Sequence, residues 1–370
     1  RKLSAKPIEP ELLAISQELL PRSVIQQLLE SCGQQFYIRL FSPLIVLWGF
    51  IYQRLNADHS CDAALSYLAS GQVDDLAQGH RLPFSTRLKS VSTAAYCKAR
   101  QRLPLSILAG SLQHSGRVIP QQLGQAGLWR GHPVGLLDGT TFYLSPIPEL
   151  VEHYGQHRNG RGSTYWIFMR VVVAFCLRTA AVVGVAEGPR LVSEQRLAKT
   201  VLAQAQPDSV YVGDSNFGVF SVGQAARHYR LWVLLRLTQA RARALVKRQL
   251  RSQEEVQLSW SPSKADQLDP EMSAQPLVGR LLYVHLVRPG FRPVDLYLFT
   301  TLLDAQRYPL EALLELYGLR WHAELNLRYL KASLDMAQLT AKSVLMVRKE
   351  LLAGLLAYNL IRGYMAQAAD

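Results

Sequence analysis

Apolar positions in the first third of the chain recur at the three- and four-residue spacing of amphipathic helices. This periodicity runs through Leu12–Leu29, Leu44–Leu55 and Ala63–Leu68. The segment Thr93–Leu103 adds a basic amphipathic helix, and Pro104 begins the next element. The pattern predicts an all-α N-terminal domain. That domain is either a bundle with a solvated basic face or a DNA-binding domain, and the pattern favours the two equally.

From Pro133 onward the pattern changes to short apolar runs, which are typical of buried strands. The runs are Val134–Tyr143, Trp166–Leu177, Ala181–Ala186, Ser209–Val212 and Leu231–Leu237. Helical periodicity follows the third run, where Ser193 is a candidate N-cap, and it returns after the fourth run. The order strand, strand, strand, helix, strand, helix, strand predicts an α/β fold with a mixed sheet of the ribonuclease-H type.

Residues 239–293 interrupt this alternation. They contain the very basic stretch Arg241–Arg251 and the alternating strand Arg280–Val287, so we expect a basic, β-rich insertion. The run Leu296–Leu302 returns to the sheet, and long helices follow at about Pro309–Leu334 and Ser343–Ala366. The predicted domains are a helical region at 1–125, a catalytic core at 126–238 and 294–340, the insertion at 239–293 and a C-terminal helix at 341–370.

The charge balance narrows the class of partners. The chain has 41 basic and 28 acidic residues, a net charge of +13 and a pI near 9.7, which favours a polyanionic partner such as nucleic acid. The longest apolar run, about Pro43 to Tyr52, is too short to span a bilayer. No signal peptide and no CxxC pair are present, so we expect a cytoplasmic protein with reduced cysteines. The start at Arg1 suggests that the termini are trimmed.

Two aspartates lie where strands can carry a carboxylate. Asp138 lies within the apolar first strand, and Asp214 follows the buried strand that this topology places beside it. Taken singly, each has a common structural explanation, a turn at an Asp-Gly pair for the first and an Asx-turn or helix cap for the second. Together they predict a metal site, because buried carboxylates need a counter-charge and hard oxygen ligands suit Mg²⁺ or Mn²⁺.

A third carboxylate, Glu324, lies in a polar stripe on the first of the two C-terminal helices. On an α-helix at about 100° per residue the stripe occupies roughly 60° of arc, and it consists of Tyr317, Arg320, Glu324 and Lys331. Apolar walls flank it, formed by Leu314, Trp321 and Leu325 on one side and by Leu316, Leu327 and Leu330 on the other. This pattern predicts a packed helix that presents charged groups to a site. The alternative is an ordinary i,i+4 ion pair between Arg320 and Glu324.

The spacing Tyr317-x2-Arg320-x3-Glu324-x6-Lys331 resembles the Y-R-E-K signature of the IS-four family of bacterial insertion-sequence transposases. The resemblance covers roughly residues 90 to 368 and extends to four further motifs. These are DGT at Asp138, SE at Ser193–Glu194, GDSNFG at Asp214 and TTLLD at Thr300–Asp304. The chain departs from many relatives after the second aspartate, where it has Ser215 in place of a cation.

The resemblance implies a ribonuclease-H-like catalytic domain in which Asp138, Asp214 and Glu324 form a metal-binding triad. The triad would hold two Mg²⁺ ions, for which Mn²⁺ substitutes. It further implies that the remaining signature residues, Tyr317, Arg320 and Lys331, contact phosphates near the transposon end. Other basic residues are expected to contact DNA. They are Arg158 and Arg161 in a Gly-rich loop, Arg241, Arg243, Lys247 and Arg248 in the insertion, and Lys98, Arg100 and Arg102 in the N-terminal domain.

The function that this resemblance implies is cut-and-paste DNA transposition. The protein would cleave transposon ends with its metal ions and join the freed 3′-OH to target DNA. Its partners would be double-stranded DNA, with terminal inverted repeats and a target, and a second copy of the chain in the DNA complex. Neither a membrane nor a small-molecule substrate is expected. Two alternatives stay open, namely a structure-specific nuclease of the same fold and a domesticated, non-catalytic DNA-binding descendant.

Overall fold

The computed structural model describes residues 9–33, 40–77, 82–90, 92–156, 158–159, 162–163, 165–267, 275–287, 290 and 292–368. Its helices are α1 Glu9–Leu19, α2 Arg22–Ser31, α3 Pro43–Leu55, α4 Cys61–Ala69, α5 Phe84–Arg87, α6 Thr93–Arg102, α7 Leu105–Gln122, α8 Pro148–Tyr154, α9 Glu194–Leu202, α10 Phe220–His228, α11 Gln239–Val246, α12 Lys264–Gln267, α13 Leu310–Gly318, α14 Trp321–Ser333 and α15 Val344–Gln367. Its strands are β1 Val134–Leu144, β2 Arg158–Asn159, β3 Gly162–Ser163, β4 Ile167–Cys176, β5 Val182–Pro189, β6 Val210–Gly213, β7 Trp232–Leu237, β8 Glu254–Trp260, β9 Leu277–Leu286, β10 Val294–Thr300 and β11 Gln338–Leu339.

The chain divides into two compact units. Unit 1 comprises Arg1–Gln122, Tyr143–Ile167 and Tyr329–Asp370, and unit 2 comprises Leu123–Phe142 and Phe168–Arg328. Within the described residues, none of the helices combines the length and the apolar character that crossing a bilayer requires.

Unit 1 is built around α15, which is buried on nearly every face. A helix that is apolar around its circumference belongs in the interior of a bundle, and α15 packs against α7, α3 and α1. Serine N-caps begin three of the helices, because the side chains of Ser42, Ser60 and Ser343 each accept a hydrogen bond from the backbone three residues later. The helical N-terminal region predicted from the sequence is therefore confirmed.

A buried lysine joins α15 to the end of α6. The Lys349 side chain is fully buried, and its Nζ donates to the carbonyl oxygens of Arg100 at 3.0 Å and Gln101 at 2.8 Å. Burial, and to a smaller extent the charge of Arg100, lowers the pKa of Lys349 from 10.5 to about 8. The ammonium charge therefore destabilises the folded state, while the hydrogen bonds satisfy two carbonyl groups at a helix end.

We expect Lys349→Met to be more destabilising at high pH than at neutral pH. Between about pH 8 and 10.5 the folded state has released the proton that the unfolded state still holds, so wild-type stability from this group rises with pH. The neutral amine still donates to both carbonyls, whereas methionine does not. Denaturant unfolding should show that the difference in free energy of unfolding between wild type and Lys349→Met is larger at pH 9.5 than at pH 7, by about 1 kcal/mol. The exposed Lys342→Met is the control, and an unchanged gap would contradict the prediction.

Unit 2 is organised by a mixed sheet. Among the described residues the strand order is β5-β4-β1-β6-β7-β10-β9-β8. The short β11 pairs with Tyr143 and Leu144 at the end of β1, and these paired residues belong to unit 1. The neighbours β1 and β6 are parallel, as are β6 and β7, whereas β4 and β5 are antiparallel. The apolar runs that predicted strands are buried in this sheet, as in the fully buried pattern of Val210–Gly213. The predicted mixed sheet of the ribonuclease-H type is confirmed.

The segment between β7 and α13 extends the same sheet. Three successive antiparallel pairings, β7 with β10, β10 with β9 and β9 with β8, add the strands of this segment at one edge. The β character expected for the insertion is confirmed. Arg280 on β9 is 1% exposed and donates to Glu255 Oε1 at 2.5 Å and Oε2 at 2.7 Å. Its Nη1 also donates to the carbonyls of Leu302 at 3.0 Å and Tyr308 at 2.9 Å.

The prediction of one helix over Pro309–Leu334 is wrong, because the structure divides it into α13 and α14. The break follows Gly318, and i to i−3 hydrogen bonds replace the α-helical pattern there. The amide of Arg320 donates to the carbonyl of Tyr317 at 3.0 Å, and that of His322 to the carbonyl of Leu319 at 3.0 Å. Glycine has low helix propensity, which makes this position a natural place for the turn to tighten.

Candidate active site

Parallel pairing of β1 and β6 brings two of the predicted acids to the same level of the sheet. Leu136 is opposite Val212 in the register. Extending that register by two residues places Asp138 level with Asp214, just past the end of β6. Because side chains alternate along strands, Asp138 lies on the same face of the sheet as Leu136, and continuing the same alternation places Asp214 on the face of Val212. The sheet therefore positions both backbones on adjacent rigid strands of unit 2.

The Asp138 carboxyl shows that three acids share one electrostatic environment. Its pKa is raised from 3.8 to about 6, chiefly because burial removes water from the charged form. The negative charges of Glu324 and Asp214 raise it further, whereas Arg320 and a hydrogen bond from the Gly139 amide to Oδ1 at 2.9 Å lower it. A neutral carboxyl at acidic pH follows from this combination. Burial, rather than the neighbouring charges, therefore dominates the pKa of Asp138.

Glu324 lies near the start of α14 and is held by the residue four positions before it. Arg320 Nη2 donates to Glu324 Oε1 at 2.6 Å, and the Arg320 side chain is 15% exposed while that of Glu324 is 35% exposed. The i,i+4 pair considered from the sequence is present. This ion pair is close to the other acids, since the charges of both Arg320 and Glu324 act on Asp138.

The helix break changes the predicted polar stripe. Tyr317 lies on α13 and Glu324 on α14, with Arg320 in the tightened turn between them, so a constant 100° step does not relate them. One apolar wall is buried as predicted at Leu316, Leu327 and Leu330. The other is not, because Trp321 is 51% exposed. The tightened turn rotates α14 relative to α13, which leaves Trp321 at the surface.

Tyr317 interacts with Arg236, a residue that the sequence analysis did not single out. Burial raises the pKa of the Tyr317 phenol, and Arg236 on β7 both hydrogen-bonds to it and lowers the pKa through its charge. Arg320 and Asp214 also act on this phenol. Arg236 lies within the apolar strand β7, and a single cation in such a strand was the sequence feature that could have identified it. The predicted residues Tyr317, Arg320, Glu324, Asp138 and Asp214 are thus electrostatic neighbours within unit 2.

The remaining predicted DNA contacts are spread over both units. Lys331 lies on α14 beyond the boundary, in unit 1, and its contact with DNA stays a prediction. The Arg158 side chain and Arg161 lie outside the described residues. In unit 1, Lys98 and Arg102 are exposed on α6. Arg100 is half-buried, with its Nη1 at 2.9 Å from Cys61 Sγ and its guanidinium 4.4 Å from the Phe50 ring centroid.

The basic stretch after β7 combines exposed cations with cations that stabilise the fold. Arg243 and Lys247 are exposed around the end of α11, where Lys247 adopts a left-handed conformation with φ 56°. Arg241 Nη1 donates to the Gly218 carbonyl at 2.6 Å, and Arg248 pairs with Glu254. Arg243 and Lys247 are therefore the cations of this stretch best placed to meet a polyanion.

The donor set of the three acids fits a hard divalent cation. Carboxylate oxygens on rigid elements are the ligands that Mg²⁺ and Mn²⁺ prefer, and the charges of Glu324 and Asp214 both act on the half-buried carboxyl of Asp138. Within the described residues, no three His, Cys, Asp or Glu side chains are close enough together to hold one ion.

Comparison with known proteins identifies the family of this chain. The sequence profile of the family described as Transposase DDE domain matches residues 129–360, a span that contains all three acids. The chain belongs to this family. Its DDE domain implies dependence on a divalent metal ion. The resemblance to the IS-four family noted in the sequence is confirmed.

This DDE-domain protein is similar to one curated transposase and, at low identity, to one solved structure among others. The transposase InsG for insertion sequence element IS4 of Escherichia coli (strain K12) is 25% identical over 310 residues, covering 81% of this chain and 65% of the relative. The chain thus spans slightly less than two thirds of that relative. A cryo-EM structure of the piggyBac transposase synaptic complex with hairpin DNA aligns with a TM-score of 0.45 and 8% identity, covering 96% of this chain and 74% of that chain.

Proposed function

We propose that this DDE-domain protein is a DNA transposase that cuts the ends of an insertion sequence and joins the freed 3′-OH to target DNA. The observation that carries the proposal is the convergence on Asp138. The register of β1 and β6 places Asp214 level with it, and Glu324 and Asp214 both raise its pKa. Three carboxylates from three elements, two of which act on the half-buried third, suit metal-dependent phosphodiester chemistry better than a structural role.

Asp138, Asp214 and Glu324 would hold two Mg²⁺ ions, and Mn²⁺ would serve in their place. When bound, such ions activate the attacking oxygen and stabilise the leaving oxygen of a phosphodiester. Arg320 and Tyr317 would offset negative charge on the phosphoryl group, because both already contact or act on the acids. Arg320 also holds Glu324 in place at 2.6 Å.

The proposed substrate is double-stranded DNA, with the terminal inverted repeats and the target held by two copies of the chain. Support comes from the net charge of +13 and from exposed cations in both units, namely Lys98 and Arg102 on α6 and Arg243 and Lys247 beside α11. Lys331, Arg158 and Arg161 are further proposed phosphate contacts. Chromosomal DNA as substrate places the proposed action in the bacterial cytoplasm.

The test is cleavage of a labelled duplex that carries the terminal repeat of the element, with Mg²⁺ or Mn²⁺ and with EDTA. Wild type should nick at the repeat boundary and form joined products. Glu324→Gln should lower the rate by about 10³-fold or more while duplex binding is retained, because the amide keeps an acceptor for Arg320 but removes a ligand charge. Glu315→Ala, an exposed acid on α13, is the matched control and should cleave normally.

Each other outcome has a definite meaning. Wild-type cleavage rates in Glu324→Gln would contradict the assignment of that acid. Metal-dependent hydrolysis without joined products would identify a structure-specific nuclease. Tight binding of the repeat by wild type without any cleavage would identify a non-catalytic DNA-binding protein.

A further inference from the structure

A fourth carboxylate approaches the strand of Asp138 from another element. Helix α9 begins at Glu194, after Ser193, whose side chain accepts from the Arg196 amide at 3.2 Å. A Cβ placed on Gly139 would lie 2.5 Å from both Cδ and Oε2 of Glu194 and 2.9 Å from Oε1. All three of its nearest atoms belong to this carboxylate. The residue after Asp138 is therefore a glycine because Glu194 packs directly against its backbone.

The alternation of side chains along β1 shows from which face Glu194 approaches. The Cβ direction of Gly139 points to the opposite face of the strand from the Asp138 side chain. Glu194 occupies the space on that opposite face. It is consequently not arranged to share a metal ion with Asp138. Its effect on the site passes through Asn216, through the Gly139 backbone and through its own charge, which interacts with that of Asp214.

Asn216 connects Glu194 to the loop that carries Asp214. Its Nδ2 donates to Glu194 Oε2, and its backbone amide donates to Asp214 Oδ1 at 2.9 Å. Gln195, the next residue of α9, donates through Nε2 to both the carbonyl and Oδ1 of Asn216, at 2.9 Å and 2.5 Å. The first turn of α9 thus contacts the loop through Glu194 and Gln195, and Asn216 also binds the Asp214 carboxylate.

Arg170 provides limited charge compensation for Glu194. Its Nε lies 3.9 Å from Glu194 Oε1, and its Nη1 donates to the Val192 carbonyl at 2.8 Å. The short contacts of the Glu194 carboxylate are therefore with Asn216 and with the Gly139 backbone. These contacts join the two segments that bear Asp138 and Asp214.

We propose that Glu194 is a positioning residue, which acts through Asn216 and against Gly139 to hold the Asp214 carboxylate level with Asp138. This inference rests on the proposed metal site and deepens it. A metal ion needs both acids at fixed separation, and residues that orient ligands commonly affect metal affinity by about 10- to 100-fold. Glu194 therefore affects the relative position of the Asp138 and Asp214 carboxylates, which bind the ion, and not the chemical step.

The experiment measures direct Mn²⁺ binding to the full chain by calorimetry and by electron paramagnetic resonance, without DNA. Glu194→Ala and Asn216→Ala should each weaken Mn²⁺ binding by about 10-fold or more. Glu194→Gln should stay within a few-fold of wild type, because the amide oxygen still accepts from Asn216. Gly139→Ala should resemble Glu194→Ala, since the added methyl group displaces the carboxylate. Glu311→Ala, an exposed acid in the first turn of α13, is the control.

Cleavage at varied Mn²⁺ supplies a second measurement. The concentration of Mn²⁺ for half-maximal cleavage should rise in Glu194→Ala and Asn216→Ala, while the rate at saturating Mn²⁺ approaches that of wild type. Metal-free melting temperatures of the variants identify any that fail to fold, and Gly139→Ala then tests the same contact with Glu194 intact. Wild-type Mn²⁺ affinity in folded Glu194→Ala and Asn216→Ala would overturn the proposal.

Two further outcomes separate this proposal from the proposed function. A Glu194→Gln variant as defective as Glu194→Ala would overturn positioning by hydrogen bonding, because the negative charge itself would then be required. A wild-type protein that binds Mn²⁺ but cuts no DNA would contradict the transposase function. If the protein cuts no DNA, the Mn²⁺ affinities of Glu194→Ala, Asn216→Ala and Glu194→Gln relative to wild type would still test the role of Glu194.

Discussion

Asp138→Asn should raise the thermal stability of the metal-free protein at neutral pH and abolish DNA cleavage. Folding raises the pKa of this carboxyl from 3.8 to about 6, mainly through burial. Below about pH 3 both states hold the proton, so Asp138 costs nothing there, and at pH 4 the cost is still small. As pH rises towards 6 the unfolded state releases the proton first, and the folded state loses stability relative to it. Asparagine removes that loss, which we put at about 1–2 kcal/mol above pH 6.

The measurement is the melting temperature in EDTA at pH 4 and pH 7.5, repeated at pH 7.5 with Mg²⁺. In EDTA the variant should melt a few degrees above wild type at pH 7.5 and close to it at pH 4. Mg²⁺ should stabilise wild type and not the variant, since a ligand that binds only the folded state raises its stability. Asp75→Asn, at an exposed site in unit 1, is the control. A variant that melts below wild type in EDTA at pH 7.5 would refute the prediction.

Glu255→Leu should destabilise unit 2 strongly. The substitution leaves the guanidinium of Arg280, which is 1% exposed, without its anionic partner. The Leu302 and Tyr308 carbonyls remain as acceptors but do not neutralise the charge. A buried charge without its partner costs about 3 kcal/mol or more, which lowers the melting temperature by on the order of 10 °C.

The neighbouring glutamate provides a matched control for this prediction. Glu254 lies on the same strand and pairs with Arg248, whose side chain is 51% exposed, so Glu254→Leu should change the melting temperature little. The double variant Glu255→Leu with Arg280→Met should recover much of the loss, because no unpaired charge then stays buried. Equal destabilisation by Glu254→Leu and Glu255→Leu would show that strand packing, and not the buried charge, dominates.

Local patterns predicted the sheet because its strands are apolar runs, of which β4 and β6 are buried along most or all of their length. Val210–Gly213 is fully buried, and its position before Asp214 was visible in the sequence. The break after Gly318 was not visible, because the apolar spacing continues across it. The Glu255–Arg280 pair was also hidden, since its partners lie 25 residues apart and meet only through the pairing of β8 with β9.

Some residues of the candidate site could likewise be predicted from the sequence, and others could not. Asp138, Asp214 and Glu324 could be predicted, because acids within apolar strands and in a spaced helical motif stand out in one dimension. Arg236 and Asn216 could not, since an isolated polar residue has many uses. Asn216 contacts Glu194 across 22 residues, and the close approach of Glu194 to Gly139 depends on the way α9 lies against β1.

The central position of α15 has a consequence for synthesis on the ribosome. Unit 1 includes α1, α3 and α7, yet its interior helix is Val344–Gln367, which is synthesised after all of unit 2. At roughly 5–20 residues per second, apolar faces of α3 and α7 wait on the order of tens of seconds for their partner. Unit 2, which ends at Arg328, has all of its strands before then. The nascent chain can therefore complete the strands of unit 2 while α3 and α7 still lack the helix against which they pack.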